Sequence, residues 1–191
     1  MKTINLMILA TALGCYTVPA WAFDAQRLVT DARGQIGQTL YYDPAYSKLS
    51  YPMGDVDLIK GVCTDVLIRA LRAQGIDLQQ NIHEDMRKNF RIYPQKWGLK
   101  GPDRNIDHRR VPNIMTYLQR QSYAVHDQHY LPGDIVTWDL GKGLTHIGII
   151  SDKTSAQGTA LVIHNIGAGT QENDILHRFK MIGHYRLPSL S

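Results

Sequence analysis

Cysteine is almost missing from this chain: 191 residues contain only Cys15 and Cys63. Cys15 falls in an N-terminal stretch that reads as an export signal, so the exported protein keeps one thiol. One thiol excludes an internal disulfide, and an unpaired thiol in an oxidising compartment is a liability unless something uses it. Long apolar runs are also lacking beyond that stretch, which excludes stable insertion in a membrane after processing. The basic residues are dispersed and never form a run interleaved with aromatics, so nucleic acid is not an expected partner. Internal repeats and low-complexity linkers are absent as well.

The export signal has three parts. Lys2 gives a short positive start, Ile4 to Leu13 is an apolar run too short to span a bilayer, and Ala20-Trp21-Ala22 is a small-x-small cleavage site preceded by Pro19. The expected organisation is a signal peptide over 1–22 and one domain over 23–191, located in the periplasm. Two alternatives stay open. The segment is retained as an anchor, or the protein is a lipoprotein acylated at Cys15, where Leu13-Gly14-Cys15 follows Ala12 instead of a large aliphatic. Cleavage after Ala22 leaves 169 residues, enough for one domain with a real core. Those residues hold 20 basic against 17 acidic side chains. That mild excess fits loose attraction to an anionic envelope polymer, and equally an ordinary solvated surface.

Apolar spacing predicts a helix over Asp24 to Ile36, ended by Gly37, and a second over Val62 to Gln74, ended by Gly75. Between them, Leu40 to Lys60 is a long loop carrying Tyr41, Tyr42, Tyr46 and Tyr51; loops of that length in compact domains are functional or disordered, and the aromatics argue for order. A short helix is expected over Asn81 to Asn89, irregular chain from Arg91 to Arg110, and a helix over Val111 to Gln121 with Pro112 in its first turn. The pattern then changes to strands at Ile135 to Trp138, Thr145 to Ser151, Leu161 to Asn165 and His184 to Leu187. Helices first and an antiparallel meander second make an α+β fold.

Cys63 opens the second helix, where unpaired first-turn amides favour a thiolate and lower the thiol's pKa. A small buried hydrophobe is the bland alternative. A cysteine nucleophile needs a base and the base needs an orienting group. Of eight histidines, His83, His108, His177 and His184 read as surface or turn residues. His126 and His129 form H-x-x-H without a third ligand, so neither a metal nor a cofactor is expected. His146 and His164 stand apart, because each sits at the same end of an apolar strand. A hairpin pairing Ser151 with Thr159 brings His146 opposite His164, with Cβ atoms about 4.5–5.5 Å apart. A one-residue slip brings Asn165 there instead, on the other face. Two ordinary strand-end histidines are the bland alternative.

These parts suit acyl transfer. Cys63 attacks a carbonyl, His146 moves the proton and His164 fixes the imidazole, with Asn165 the alternative third member. The Cys63 amide and a tyrosine, Tyr41 or Tyr42, are the oxyanion donors. Asp65 and Arg69 read as a structural i,i+4 pair.

A cysteine at a helix start, then G-D-I-V-x-W, then H-I-G-I, resembles the NlpC-type branch of the papain-like cysteine peptidases. Those are bacterial cell-wall hydrolases that cut amide bonds in peptidoglycan stem peptides. The resemblance implies a papain-like (NlpC-type) fold, with N-terminal helices packed on a C-terminal antiparallel sheet, and a triad in the order Cys63, His146, His164. The chain resembles more closely a family of exported bacterial proteins of undetermined function grouped with that fold. The shared motifs span Gly54 to Val66, Asn105 to Asn113, Gly133 to Val136, Thr145 to Ile149 and Ile163 to Gly167. The cell-wall enzymes carry D-C-S-G at the nucleophile, whereas this chain has V-C-T-D. Asp107, His108, Arg109 and Arg110 have no counterpart in them; the segment is expected to line the substrate groove or to form a solvated loop. The leading expectation is a periplasmic cysteine hydrolase acting on peptidoglycan. An acyltransferase sharing the thioester, and a non-catalytic cell-wall binding module, are its rivals.

Overall fold

A computed structural model describes residues 23–189. The leader, Cys15 and the last two residues lie outside the described residues. Helix α1 (Ala25–Arg33) starts where the Asp24 carboxylate accepts the Arg27 amide at 3.0 Å. It is shorter than the spacing suggests, and Ile36 beyond it is exposed. In the long loop that follows, two short strands pair in parallel, β1 (Tyr41–Tyr42) and β2 (Lys60–Gly61). Helix α2 (Cys63–Arg72) is buried along nearly its whole length. Helix α3 (Leu78–Asn89) begins three residues before the expected position, because the Asp77 carboxylate caps it by accepting the Gln79 amide. Helix α4 (Val111–Arg120) carries Pro112 in its first turn, where a missing N–H costs nothing.

The second half is one antiparallel sheet of five strands: β3 (Ile135–Gly141), β4 (Leu144–Thr154), β5 (Ala160–Asn165), β6 (Thr170–Asn173) and β7 (Lys180–Tyr185). The order β6-β5-β4-β3-β7 is not a simple meander, since the last strand crosses back to pair with β3. The polar strand β6, T-Q-E-N, has no apolar alternation by which sequence could reveal it.

The helices pack on one face of the sheet, where Ile135, Ile147, Ile149 and Ile163 meet Leu28, Val66, Leu67 and Ile114. The other face carries a smaller core of Val136, Trp138, Ile150 and Val162, covered by Ile175 and Leu176. The molecule is thus mixed α and β, with its helices leading and its antiparallel sheet following. No described helix is long and apolar enough to cross a membrane.

Candidate active site

Cys63 is the first residue of α2. Val62, at the cap, has no side-chain acceptor to offer the helix. Asp65 instead reaches back, its Oδ2 accepting the Val62 amide at 2.6 Å. The approach is close: a Cβ added at Gly61 would lie 3.0 Å from Asp65 Oδ2, so glycine is what admits this entry. The thiol is buried, with backbone amides of Ile147, Thr64 and Cys63 itself against it.

The two strand-end histidines do meet. His146 Nε2 lies 3.0 Å from His164 Nδ1, and the rings stand edge to face. The register that brings them together is not the symmetric one. Ile149 pairs with Ile163 and Ile150 with Val162, two residues off the expected pairing, and an irregularity between Ile150 and Thr154 shifts it further toward the turn, where Thr154 pairs with Ala160. A shift of two keeps every side chain on its face, so the histidines become diagonal rather than direct neighbours. Continuing that register sets Gly148 opposite His164. A Cβ at Gly148 would come within 2.5 Å of Val162 Cγ1 and 3.3 Å of His164 Cβ. Trp138, the direct cross-strand partner of His146, stacks on its ring at 5.6 Å between centroids. The indole is itself fixed by donating to the Leu176 carbonyl at 3.1 Å. Asn165 faces the other way and donates to the Gly61 carbonyl at 3.3 Å.

Burial sets the protonation of the group. It pushes the Cys63 thiol up to about 12, against the backbone amides that favour the thiolate. Burial, then the charge on His164, bring His146 down to about 3. Burial, then Arg178, bring His164 down to about 4. The thiol and both imidazoles therefore rest neutral. This corrects the expectation that a helix start lowers the thiol's pKa, because desolvation outweighs the amides. Cys63 and His146 share no hydrogen bond among the described contacts. With Nε2 engaged by His164, Nδ1 is the other nitrogen of the His146 ring.

Cys63 opens onto a cleft of about 350 Å³, lined also by Tyr42, Trp97, Arg109, Arg110 and Thr145. His146 sits one residue behind that wall and is almost sealed from solvent. Tyr42 lies near the thiol, and its phenol is pushed up to about 12 by burial and then by Cys63. Tyr41, its neighbour on β1, is exposed and takes no part in the cleft.

The Asp107-to-Arg110 segment divides. Arg109 and Arg110 line the cleft, but Asp107 and His108 are buried and do not. Asp107 Oδ1 accepts from Arg110 Nη1 at 3.1 Å, and its backbone carbonyl accepts from Asn113. Burial brings His108 down to about 4, with the charge of Arg109 adding to it. His108 is thus not the surface residue its sequence context suggests. Neither is His184, whose Nε2 lies 2.7 Å from Asp134 Oδ2. Asp65 also takes another partner: it pairs with Arg109, while Arg69 turns to Asp55. No described group of three or more His, Cys, Asp or Glu side chains is arranged to hold a metal. A second cavity of about 360 Å³ runs along β7 beside His126 and His184, but neither Cys63 nor His146 lines it.

Comparison with known proteins adds two findings. A family model described as a domain of unknown function, DUF1287, matches residues 29–187. The uncharacterized protein YijF of Escherichia coli (strain K12) is 58% identical over 159 residues, covering 81% of this chain and 78% of that protein. No solved structure matches.

Proposed function

This chain belongs to the DUF1287 family, and we propose that it is a periplasmic cysteine hydrolase of papain-like (NlpC-type) fold that cuts amide bonds in peptidoglycan stem peptides. Two observations carry this reading: the 3.0 Å contact between His146 Nε2 and His164 Nδ1, and a helix-opening cysteine whose thiol lies against the amide of Ile147, the residue that follows His146 in β4. A base held by an orienting group next to a nucleophile is the arrangement that thiol catalysis requires.

In this reading His146 keeps its proton on Nε2 and gives it in a hydrogen bond to His164, so Nδ1 is free to accept. Both reacting groups rest neutral, so the thiol proton passes to His146 Nδ1 as sulfur attacks, not beforehand. The sulfur–carbon bond forms and the carbonyl oxygen takes up the negative charge. The Cys63 amide and the Tyr42 hydroxyl donate to that oxygen. His146 returns the proton to the leaving amine as the carbon–nitrogen bond breaks. Water, deprotonated by His146, then cleaves the thioester and frees the thiol.

One observation favours a rival. A thiol this deeply buried and pushed up to about 12 suits a non-catalytic module that binds cell wall. Purified sacculi decide the matter. Wild-type protein should release muropeptides with new amino and carboxyl ends, and Cys63→Ala should release none. Sacculi that stay intact but retain the protein would favour the binding module. Incorporation of a labelled amine without release would favour an acyltransferase.

A further inference from the structure

The cleft is lined by three cationic side chains, Lys96, Arg109 and Arg110, and by no carboxylate. Their situations differ. Arg109 is fully engaged, giving Nε and Nη2 to Asp65 at 3.0 and 2.9 Å and the rest of its fork to loop carbonyls. Arg110 gives only Nη1, to Asp107. Its guanidinium carbon lies 4.0 Å from the centre of the Trp97 ring, which holds the plane in place. The rest of its fork makes no hydrogen bond among the described contacts. Lys96 is exposed and forms no ion pair among the described residues. Helix α4 starts at Val111 in the same wall, so the positive end of its dipole lies there too.

Charge balance separates the two arginines further. The partners of Arg109 raise its pKa in spite of burial, as in a satisfied pair. Burial lowers that of Arg110 in spite of Asp107, and raises that of Asp107. Neither member of the Arg110–Asp107 pair is fully compensated for its burial, so a further acceptor on the open edge of the Arg110 fork is favourable.

We propose that Arg110, stacked on Trp97, and the neighbouring Lys96 form a subsite that seats a carboxylate of the peptide substrate beside the bond attacked by Cys63. The free edge of the guanidinium offers two parallel N–H donors, the geometry a carboxylate takes. The substrate class is thus an acidic peptide, a refinement that rests on the reading of Cys63 as the nucleophile. The carboxylate belongs either to an acidic side chain or to the peptide's C-terminus, and both present the same two oxygens.

The test uses Cys63→Ala protein, which binds without turnover, and three peptides in a calorimetric titration. The first is a glutamate-containing stem peptide released from sacculi. The second is its glutamyl carboxamide and the third its C-terminal carboxamide. The free peptide should bind about tenfold more tightly than one of the two carboxamides, as for a charge-assisted hydrogen bond. Which carboxamide is weakened identifies the source. Adding Arg110→Gln or Lys96→Gln should shrink that difference severalfold. Equal binding of all three peptides would overturn the subsite, as would a difference that survives both substitutions. Arg110→Gln strips buried Asp107 of its partner and is open to misfolding; in that case exposed Lys96→Gln alone decides. Sacculi left uncut by wild-type protein while the binding difference holds would remove the hydrolase reading and keep the subsite. Cutting of sacculi with equal binding of all three peptides would do the reverse.

Discussion

Arg109 closes a two-point hydrogen bond on Asp65, Nε to Oδ1 at 3.0 Å and Nη2 to Oδ2 at 2.9 Å, with both side chains sealed from water. The same carboxylate holds the Val62 amide at the start of α2, and the same guanidinium holds the carbonyls of Asp43 and Ala45 just after Tyr42. One ion pair thus joins the helix that Cys63 opens to the loop that carries Tyr42.

Removing either partner leaves a buried charge uncompensated, which costs about 3–5 kcal/mol. Asp65→Asn and Arg109→Met should each lower the urea midpoint by that measure. The double substitution should cost clearly less than the sum, because no lone charge remains. Additive losses would mean the two side chains are not coupled.

The thiol gives a second expectation. Pushed up to about 12, Cys63 holds almost no thiolate near neutral pH. Iodoacetamide should label native protein slowly at pH 7, with a rate that keeps climbing through pH 10, and His146→Ala should change it little. Protein unfolded in urea should label with an ordinary cysteine profile, midpoint about 8.5. A fast rate already level below pH 8 would mean a standing thiolate–imidazolium pair.

Buried neutral histidines make the fold sensitive to acid. His146 is held down to about 3, and His108 and His164 to about 4, against an ordinary 6.5. Below pH 6.5 the unfolded chain takes up protons that the folded chain refuses, so stability falls with pH from there to about 4. Each histidine costs about 2 kcal/mol at pH 5, and three cost a large share of the ~5–15 kcal/mol that holds a domain folded. Thermal midpoints should drop steeply between pH 6.5 and 4, and His108→Gln should flatten the slope. A midpoint unchanged over that range would refute the assignment of neutral buried rings.

What is legible in the sequence is what is local. The helix start at Cys63, the caps and the strand-end places of His146 and His164 depend on residues near each other in the chain. Sequence spacing gives Asp65 the wrong partner, Arg69, because i,i+4 neighbours are visible in sequence and a contact 44 residues away is not. The burial that raises the thiol is likewise a property of the assembled core. The histidines meet in spite of the different register, because a shift of two residues preserves the face. Trp138 stands opposite His146 across a short turn and is within reach of sequence reasoning, but a strand tryptophan reads as core.

Gly148 tests how much the histidine pair depends on packing. Gly148→Ala puts a methyl 2.5 Å from Val162 Cγ1 and 3.3 Å from His164 Cβ. Overpacking of this kind costs about 1–3 kcal/mol, and here it also displaces the ring that orients His146. Activity on sacculi should fall more than the fraction of folded protein does, as followed by circular dichroism. Equal losses would mean that the pair tolerates the shift.

The third member of the site is the sharpest question, because His164 and Asn165 are adjacent in sequence and opposite in direction. His164 Nδ1 meets His146 Nε2 on one face of the sheet, whereas Asn165 donates to the Gly61 carbonyl on the other. His164→Ala should therefore lower kcat for muropeptide release by about 10²–10⁴-fold with KM nearly unchanged, since what it removes is the hold on the base. Asn165→Ala removes one of two donors to the Gly61 carbonyl, the Asp43 amide remaining at 3.0 Å, so it costs about 0.5–1.5 kcal/mol of stability, while kcat in the folded fraction stays close to wild type. The opposite pattern, with kcat lost in Asn165→Ala and kept in His164→Ala, would transfer the orienting role to Asn165 and require a different register at the end of β5. Both variants keep Cys63 and His146, so the comparison isolates the third position.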